Sequence, residues 1–427
     1  PVRTRNVAAS VAAVALGVGA LVALQHARGD GYWSYSEGVY ALTTRMLLHG
    51  ADVYGRVSAA QPPALFLVGA GLLAIHDSIE WLRLAIGVFQ LGGALLAGWI
   101  VWRITASRLA AVVAVPAGLL APWAAHEHGF LTTDVFAGPL MLAGVLAGRS
   151  ERHGRAAGLI AAALVSFKLP FVLPAAAIVL VAADRRRAIV WAVAAVAIEV
   201  VVATAIFGTG LWGNIVVAQL QTGTASFEAI RRVWMQEAWN LAGLVVGAAV
   251  AWRYRERAAD RRLMTSTFAV ALAIAVTLIT NVKLGTLAGA ALPVEAMLVP
   301  VAVSGVVLAA RVTRGAAVLA TAGVAFALLQ GVWLVADQNV EGGHPFLRAG
   351  SGERPGVVAT PEEVDRLVAA ARACDRRLAY PGPPYIAFVA HRRPTGDQPD
   401  GFITANAKRN AAQQRRREQD LPVCPSP

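Results

Sequence analysis

The sequence has too few charged residues to cover the surface of a water-soluble protein. Asp, Glu, Lys and Arg make up 15% of its 427 residues, whereas soluble domains typically carry about 25%. Hydrophobic residues make up 57%, and the mean hydropathy is +0.56. These values exclude an ordinary soluble domain and indicate a protein whose surface faces lipid.

Lysine is nearly absent and occurs only at positions 168, 283 and 408. The net charge of +12 therefore comes almost entirely from arginine. A strongly basic chain can indicate nucleic-acid binding, but these arginines are spread between apolar segments along the chain. We therefore expect membrane lipids, and no nucleic acid, among its partners.

Long apolar runs recur along almost the whole chain. A membrane-spanning helix needs about 20 mainly apolar residues, and this length predicts about eleven spans. The first run begins at Asn6, so we expect a retained span and no cleaved leader. The predicted spans are 6–24, 84–102, 108–125, 131–148, 156–167, 170–183, 188–206, 239–252, 263–281, 291–310 and 315–336.

Arginine clusters occupy every second loop between these spans. Cytoplasmic loops are enriched in Lys and Arg near the ends of spans. The alternation predicts a multi-pass plasma-membrane (inner-membrane) protein with a cytoplasmic N-terminus and an extracytoplasmic C-terminus. The clusters lie at 3–5, 103–108, 149–155, 185–187, 253–262 and 311–314.

One apolar run, 63–75, is too short to span a membrane. Treating it as a span would also place the basic loops on alternating sides, so we predict a re-entrant or interfacial helix. Residues 25–83 then form one large segment on the outer side. We call these residues the outer segment.

The chain divides into two parts at Ala336. The apolar runs predict an all-α polytopic membrane domain over 1–336. Beyond it Pro, Gly and charge become common, and 337–427 is expected to form a small extracytoplasmic α+β domain. The only two cysteines, Cys374 and Cys424, lie there. Because an oxidising exterior permits disulfides, we predict that they are joined, with two free thiols as the alternative.

Local patterns in this tail predict one helix and two strands. Thr360 and Glu363 form a capping-box pattern that opens a helix ending at Cys374. Two strand-like runs, 377–380 and 385–390, then flank a Pro-Gly-Pro-Pro turn. The tail is therefore expected to contain both kinds of secondary structure.

Two carboxylates, Asp30 and Glu37, follow the first predicted span. Carboxylates in partly water-excluding surroundings can act as general bases. The Tyr and Trp residues beside them are typical of a membrane interface, where they serve as anchors. Both acids are candidate catalytic residues.

The order of features from Tyr35 to Leu84 carries a family resemblance. Ser36-Glu37-Gly38-Val39-Tyr40 is followed by Arg45, by Gly50 with Tyr54, by a double proline and by Arg83 at the next span. This succession resembles the first outer loop of the C-type (GT-C) lipid-linked-sugar glycosyltransferases, which include protein O-mannosyltransferases and the lipid A aminoarabinose transferase. The family pattern there is Asp-Glu-x-x-Tyr, Arg-x-Leu, Gly-x-x-x-Tyr, Pro-Pro and Arg. The resemblance continues weakly to residue 336.

Two residues depart from the family pattern. Ser36 stands where the family usually has its catalytic base. Either Glu37 takes over this role, which we favour, or Asp30 reaches the same place, or the protein has lost transferase activity. Gln61 replaces a charged residue that often precedes the double proline, so one donor-phosphate contact is expected to be missing or supplied elsewhere.

The resemblance implies sugar transfer from a polyprenyl-phosphate donor at the outer face of the membrane. A single displacement would invert the anomeric carbon, with a glycan, lipid or protein as acceptor and a mannosyltransferase-like specificity. Lys168, Arg83 and Lys283 are the expected donor-phosphate contacts. Asp134, at the head of a span, matches the second acidic position of the family.

A metal site and two rival functions stay open. His126 and His128 could hold a divalent cation such as Mg²⁺ or Mn²⁺, although His-x-His lacks the helical spacing of common zinc pairs. A polar loop tip is the alternative, and no other cofactor is predicted. A transporter or flippase is the first rival, but no internal repeat is evident. An inactive, transferase-like assembly partner is the second, and Ser36 is its best support.

Overall fold

The protein is described by a computed structural model that covers residues 2–28, 35–221, 223–280, 291–337, 361–375, 380, 382–394 and 398–400. Regular structure in these residues is helical, and two isolated bridges are the only β-type pairings among them. The first nine helices are α1 Val2–Arg28, α2 Tyr35–Leu48, α3 Pro63–Ile75, α4 Ile79–Thr105, α5 Arg108–Leu120, α6 Pro122–His126, α7 Thr133–Gly148, α8 Gly154–Phe167 and α9 Val172–Val181. The others are α10 Arg185–Phe207, α11 Gly210–Trp212, α12 Gln219–Gln221, α13 Phe227–Arg253, α14 Arg261–Thr280, α15 Ala291–Ala310, α16 Arg314–Asp337, α17 Pro361–Ala373 and α18 Pro384–Val389.

The apolar helices make this a multi-pass membrane protein. Among the described residues, 6 helices are long and apolar enough to cross a bilayer, namely α1, α4, α10, α14, α15 and α16. Every predicted span coincides with a helix, but several, including α5, α7 and α9, are shorter than the roughly 20 residues that a crossing requires. The count of about eleven spans therefore stays a prediction. Helix α3 has the predicted bounds 63–75, while its place relative to the membrane stays a prediction.

Helix ends follow local chemistry. Ser78 begins α4, and its hydroxyl accepts a hydrogen bond from the Trp81 backbone N–H at 3.1 Å. Helix α5 ends at Leu120 because Pro122 has no N–H and opens the separate short helix α6. Helix α13 begins at Phe227, well before the predicted start at 239, because Ser226 caps an amphipathic turn there.

Helix α15 lies at the centre of the bundle. In its most apolar stretch 83% of the residues are buried, compared with 6% for α10. Helix α15 packs against α13, α16, α4 and α7. At Gly305 an added Cβ would overlap the backbone of Gly247, so α13 and α15 approach as closely as small residues allow.

The tail corrects one prediction. Helix α17 confirms the helix expected up to Cys374. The strand predicted over 385–390 is wrong, because Pro384 and the residues after it form α18. Its aromatic and branched residues favour a strand locally, but a proline at the first position favours a helix start, and packing against α2 buries one side. Of the other predicted strand, only Tyr380 is described, in a single bridge to Pro394.

Candidate functional site

Glu37 and Arg83, predicted separately as base and phosphate contact, form a buried ion pair. Glu37 lies in the first turn of α2 and is fully buried. The Arg83 Nε donates to Glu37 Oε1 at 2.8 Å, and Nη2 donates to Oε2 at 2.7 Å. This two-pronged contact occupies both carboxylate oxygens and holds the two charges in fixed geometry. The outer segment is thereby joined to the start of α4.

Two aromatic rings flank the Arg83 guanidinium. The ring centroids of Phe130 and Tyr385 each lie 5.5 Å from its central carbon. A cation near the face of an aromatic ring is stabilised, most strongly when water is excluded. Phe130 belongs to the loop between α6 and α7, and Tyr385 belongs to α18, so three separate parts of the chain meet at this guanidinium.

Gly129 sets the position of Phe130. Its φ of 76° lies in the left-handed region that favours glycine. An added Cβ would lie 3.0 Å from the Arg83 backbone oxygen. The Gly129 N–H donates to Gln90 Oε1 at 2.9 Å. The loop therefore contacts α4 directly at Gly129, the residue before Phe130.

Lys168 and Asp134 form the second ion pair of the site. The Lys168 Nζ lies 3.0 Å from both oxygens of Asp134. Lys168 has an extended backbone at the break between α8 and the turn before α9, and 7% of the residue is exposed. Asp134 lies in the first turn of α7, where the helix dipole favours a carboxylate. Two residues that the sequence offered as separate candidates thus lie together.

A cavity of about 250 Å³ opens beside Lys168. Its polar lining comes from Lys168, Gln61 and Gln219, whereas Ile215, Val216 and Leu220 form an apolar side. Leu220 is 80% exposed, so the apolar side continues to the protein surface. The cavity thus offers one cation and two amides at the end of an apolar opening. Its remaining lining is Ala60, Pro62, Leu169 and Pro170.

Hydrogen bonds hold Gln61 at this cavity. Its side-chain amide nitrogen donates to the Tyr40 hydroxyl at 3.0 Å, and its backbone carbonyl accepts from the Tyr54 hydroxyl at 2.6 Å. The Gln219 amide donates to the Ala60 carbonyl at 3.3 Å. Burial raises the pKa of Tyr54, so its phenol stays a hydrogen-bond donor. Gln61, one of the two residues that depart from the family pattern, therefore lies in the same cavity as Lys168.

The solved structures of ArnT from Cupriavidus metallidurans share this architecture. The structure bound to undecaprenyl phosphate is 16% identical, with a TM-score of 0.63, and the alignment covers 96% of this chain and 89% of ArnT. The apo structure is 14% identical, with the same coverage and TM-score. This chain has the ArnT fold. Neither the protein-family models nor the curated protein sequences give a match.

The ArnT comparison confirms the predicted fold at the level of its class. ArnT is a C-type glycosyltransferase, and the alignment spans nearly the whole chain. An all-α multi-pass membrane protein of this fold is therefore established. At these identities the likeness to ArnT concerns the fold, and the roles of individual residues rest on the geometry above.

In this ArnT-like fold the predicted metal ligands, His126 and His128, have different neighbours. His126 Nδ1 lies 3.4 Å from Glu127 Oε1, and its ring packs edge-on against Trp123. His128 is buried, and its ring lies next to Gly87 in α4. Within the described ranges, no three His, Cys, Asp or Glu side chains are placed to hold one metal ion. The divalent-cation site at His126 and His128 stays a prediction.

Two buried acids lie outside the set of predicted site residues. Glu295 in α15 accepts hydrogen bonds from the Trp123 and Ala124 backbone N–H groups at 2.8 and 3.2 Å. It caps the break between α5 and α6. Glu237 accepts from the Trp123 indole at 2.6 Å. Both acids therefore hold α6, which leads into the loop that carries Phe130.

Three predicted residues lie outside the described residues, namely Asp30, Lys283 and Cys424. Cys374 is disulfide-bonded, and the pairing with Cys424 stays a prediction. Arg231 and Arg232 lie on an exposed part of α13, where they pair with Glu228 at 3.1 and 3.3 Å.

Proposed function

We propose that the protein transfers a sugar from a polyprenyl-phosphate-linked donor to a cell-envelope acceptor at the outer face of the membrane. The observation that carries this proposal is the buried Lys168 at the end of a cavity whose other side is apolar. The shared fold adds support, because the ArnT structure of that fold contains undecaprenyl phosphate. A glycan, lipid or protein acceptor and a mannosyltransferase-like donor belong to the same proposal.

The donor phosphate binds at Lys168 in this proposal. Its isoprenoid chain leaves along Ile215, Val216 and Leu220 toward the lipid. Asp134 holds the Lys168 ammonium in place at 3.0 Å, so the cation need not reorganise as the phosphate departs. A fixed cation in a water-poor site stabilises developing negative charge far better than one in water. Gln61 offers an amide where a charged residue is usual in the family.

Glu37 is the proposed base, with one requirement. Arg83 donates one hydrogen bond to each of the Glu37 oxygens, so an acceptor hydroxyl must reach the remaining lone-pair site of one oxygen to give up its proton. The attacking oxygen would then displace the phosphate from the opposite side, with inversion. Asp30 is the alternative base and lies outside the described residues.

An inactive assembly partner is the second candidate function. Ser36 in place of the usual acid supports it, and so does the ion pair that holds Glu37 to Arg83 through both oxygens. A transporter has no comparable observation in its favour. In membranes supplied with radiolabelled polyprenyl-phosphate sugars, transfer by the wild type supports the enzyme. No transfer with any donor supports the inactive partner.

The role of Lys168 is tested by two substitutions in the same membranes. Lys168→Met should reduce transfer roughly 10- to 100-fold, because a charge-assisted bond to phosphate contributes about 1.5–3 kcal/mol. Lys168→Arg should retain more activity, since the cation remains. Arg231→Gln, which removes an exposed cation, is the matched control and should have no effect. Wild-type transfer by Lys168→Met would refute phosphate contact at this residue.

A further inference from the structure

The C-terminal tail packs onto the outer segment instead of standing apart from it. Helix α18 contacts α2, and a Cβ added at Gly38 would overlap the backbone of Tyr385. The Arg45 guanidinium donates to the Phe388 carbonyl and lies 3.5 Å from the centre of the Phe388 ring. Asp77 completes this anchor, because its Oδ1 accepts from Arg45 Nε at 2.8 Å.

A second anchor fixes the tail further along. The Ser58 N–H donates to Gln398 Oε1 at 2.8 Å. The Gln398 amide nitrogen donates to the Arg56 carbonyl at 2.7 Å. These bonds mimic the pairing of two backbone segments, so Gln398 joins the tail to the loop between α2 and α3. One anchor, at Phe388, lies within α18 and the other, at Gln398, follows it, and together they fix where Tyr385 lies.

Tyr385 is the tail residue that reaches the buried ion pair. It is 4% exposed, and its ring lies 5.5 Å from the Arg83 guanidinium. Phe130, at the same distance, comes from the membrane domain itself. The guanidinium that holds both oxygens of Glu37 is therefore held by one ring from each part of the chain.

We propose that Tyr385 is a positioning residue, whose ring keeps Arg83 in its two-pronged contact with Glu37 and so makes the tail part of the site. The expected effect on the reaction rate rests on the proposed function, whereas the expected effect on the packing around Arg83 and Glu37 does not. Loss of the ring would let the guanidinium tilt and would admit water to Glu37. Donor binding at Lys168 involves other elements, so the effect should fall on the chemical step.

Two substitutions separate the ring from the hydroxyl. Tyr385→Leu removes the aromatic face, and Tyr385→Phe keeps it. With an active wild type, Tyr385→Leu should lower kcat roughly ten-fold, the scale of a desolvated cation–aromatic contact, with little change in KM for the donor. Tyr385→Phe should restore kcat. Tyr254→Leu removes a ring 5.8 Å from Arg253 at a distant position and should leave kcat unchanged.

A second measurement does not need activity. Cysteine introduced as Ser36→Cys, next to Glu37, is labelled with a membrane-impermeant maleimide in the full-length protein. Labelling should be roughly ten-fold faster with Tyr385→Leu than with Tyr385→Phe. A desolvated cation–aromatic contact contributes a free energy that corresponds to about a ten-fold change in an equilibrium constant. Tyr385→Met serves in place of Leu if the latter does not fold.

The outcomes distinguish this inference from the proposed function. Absence of transfer by the wild type would defeat the proposed function, and the labelling rates would still decide the role of Tyr385. Equal labelling in the Leu and Phe variants, or an equal loss of kcat in both, would overturn the inference. A change in donor KM alone would overturn it as well, because it would place Tyr385 at the donor.

Discussion

Replacing Glu37 by Gln removes one half of a buried ion pair and leaves Arg83 without this carboxylate. The Glu37 side chain is 1% exposed and that of Arg83 is 14% exposed, so water cannot replace the lost partner. Breaking such a pair from one side typically costs about 3–5 kcal/mol. Since whole proteins are stable by only about 5–15 kcal/mol, Glu37→Gln should be severely destabilised. Its loss of activity alone would therefore not identify a base.

The double variant Glu37→Gln, Arg83→Gln resolves this ambiguity. It removes both charges and keeps groups that can hydrogen-bond to each other, so most of the lost stability should return. Thermal unfolding of the wild type, both single variants and the double variant gives the coupling free energy, which we expect to be about 3 kcal/mol or more. The exposed pair Glu228 and Arg231 gives the matched cycle, and we expect no measurable coupling there.

Sugar transfer by the same four proteins shows whether Glu37 acts as a base or only stabilises the fold. If Glu37 is the base, the double variant folds but does not transfer sugar. If the ion pair only supports the fold, the double variant regains transfer together with stability. A single variant Glu37→Gln that unfolds at the wild-type temperature would refute the burial argument itself, whatever its activity.

Three further predictions concern the loop, the buried acid and the tail. Gly129→Ala should lower the unfolding free energy by about 1–3 kcal/mol. Gly50→Ala should lower it less, because both glycines have positive φ but only Gly129 has a close neighbour. Thermal melting measures the difference. Glu295→Leu leaves two N–H groups of α6 without their acceptor and should cost about 1–3 kcal/mol in the same assay. Burial lowers the pKa of His391, so the folded protein binds fewer protons than the unfolded one. Tail docking should therefore weaken as the pH falls through about 6.5, and limited proteolysis of the wild type and of His391→Asn should detect it only in the wild type.

The sequence predicted where helices form much better than which residues meet. Length and hydropathy located α3 at 63–75 and α15 at 291–310, because both properties are local. The strand predicted over 385–390 failed because local preference favours a strand, whereas the proline start and the contact with α2 decide for a helix. That contact lies hundreds of residues away in sequence, so no local pattern reports it.

The two ion pairs show the same limit at the site. Glu37 was a candidate from its position after the first span, and the family resemblance made Arg83, Lys168 and Asp134 candidates. Their pairing joins α2 to α4 and α7 to the α8–α9 break, and it depends on the rotation of each helix about its axis. Glu237 escaped notice for the same reason, since its acceptor role requires the Trp123 indole to face α13.

The two departures from the family pattern have different consequences in this structure. Gln61 lies in the cavity that Lys168 already supplies with a cation, so the loss of one charge leaves the cavity able to attract phosphate. For Ser36 the described residues offer only the adjacent acid, Glu37, which Arg83 contacts through both oxygens. The structure therefore favours retained donor binding more strongly than retained catalysis. If the wild type binds a polyprenyl phosphate but transfers no sugar, the cause should lie at Ser36, and Ser36→Asp should restore transfer without altering donor affinity.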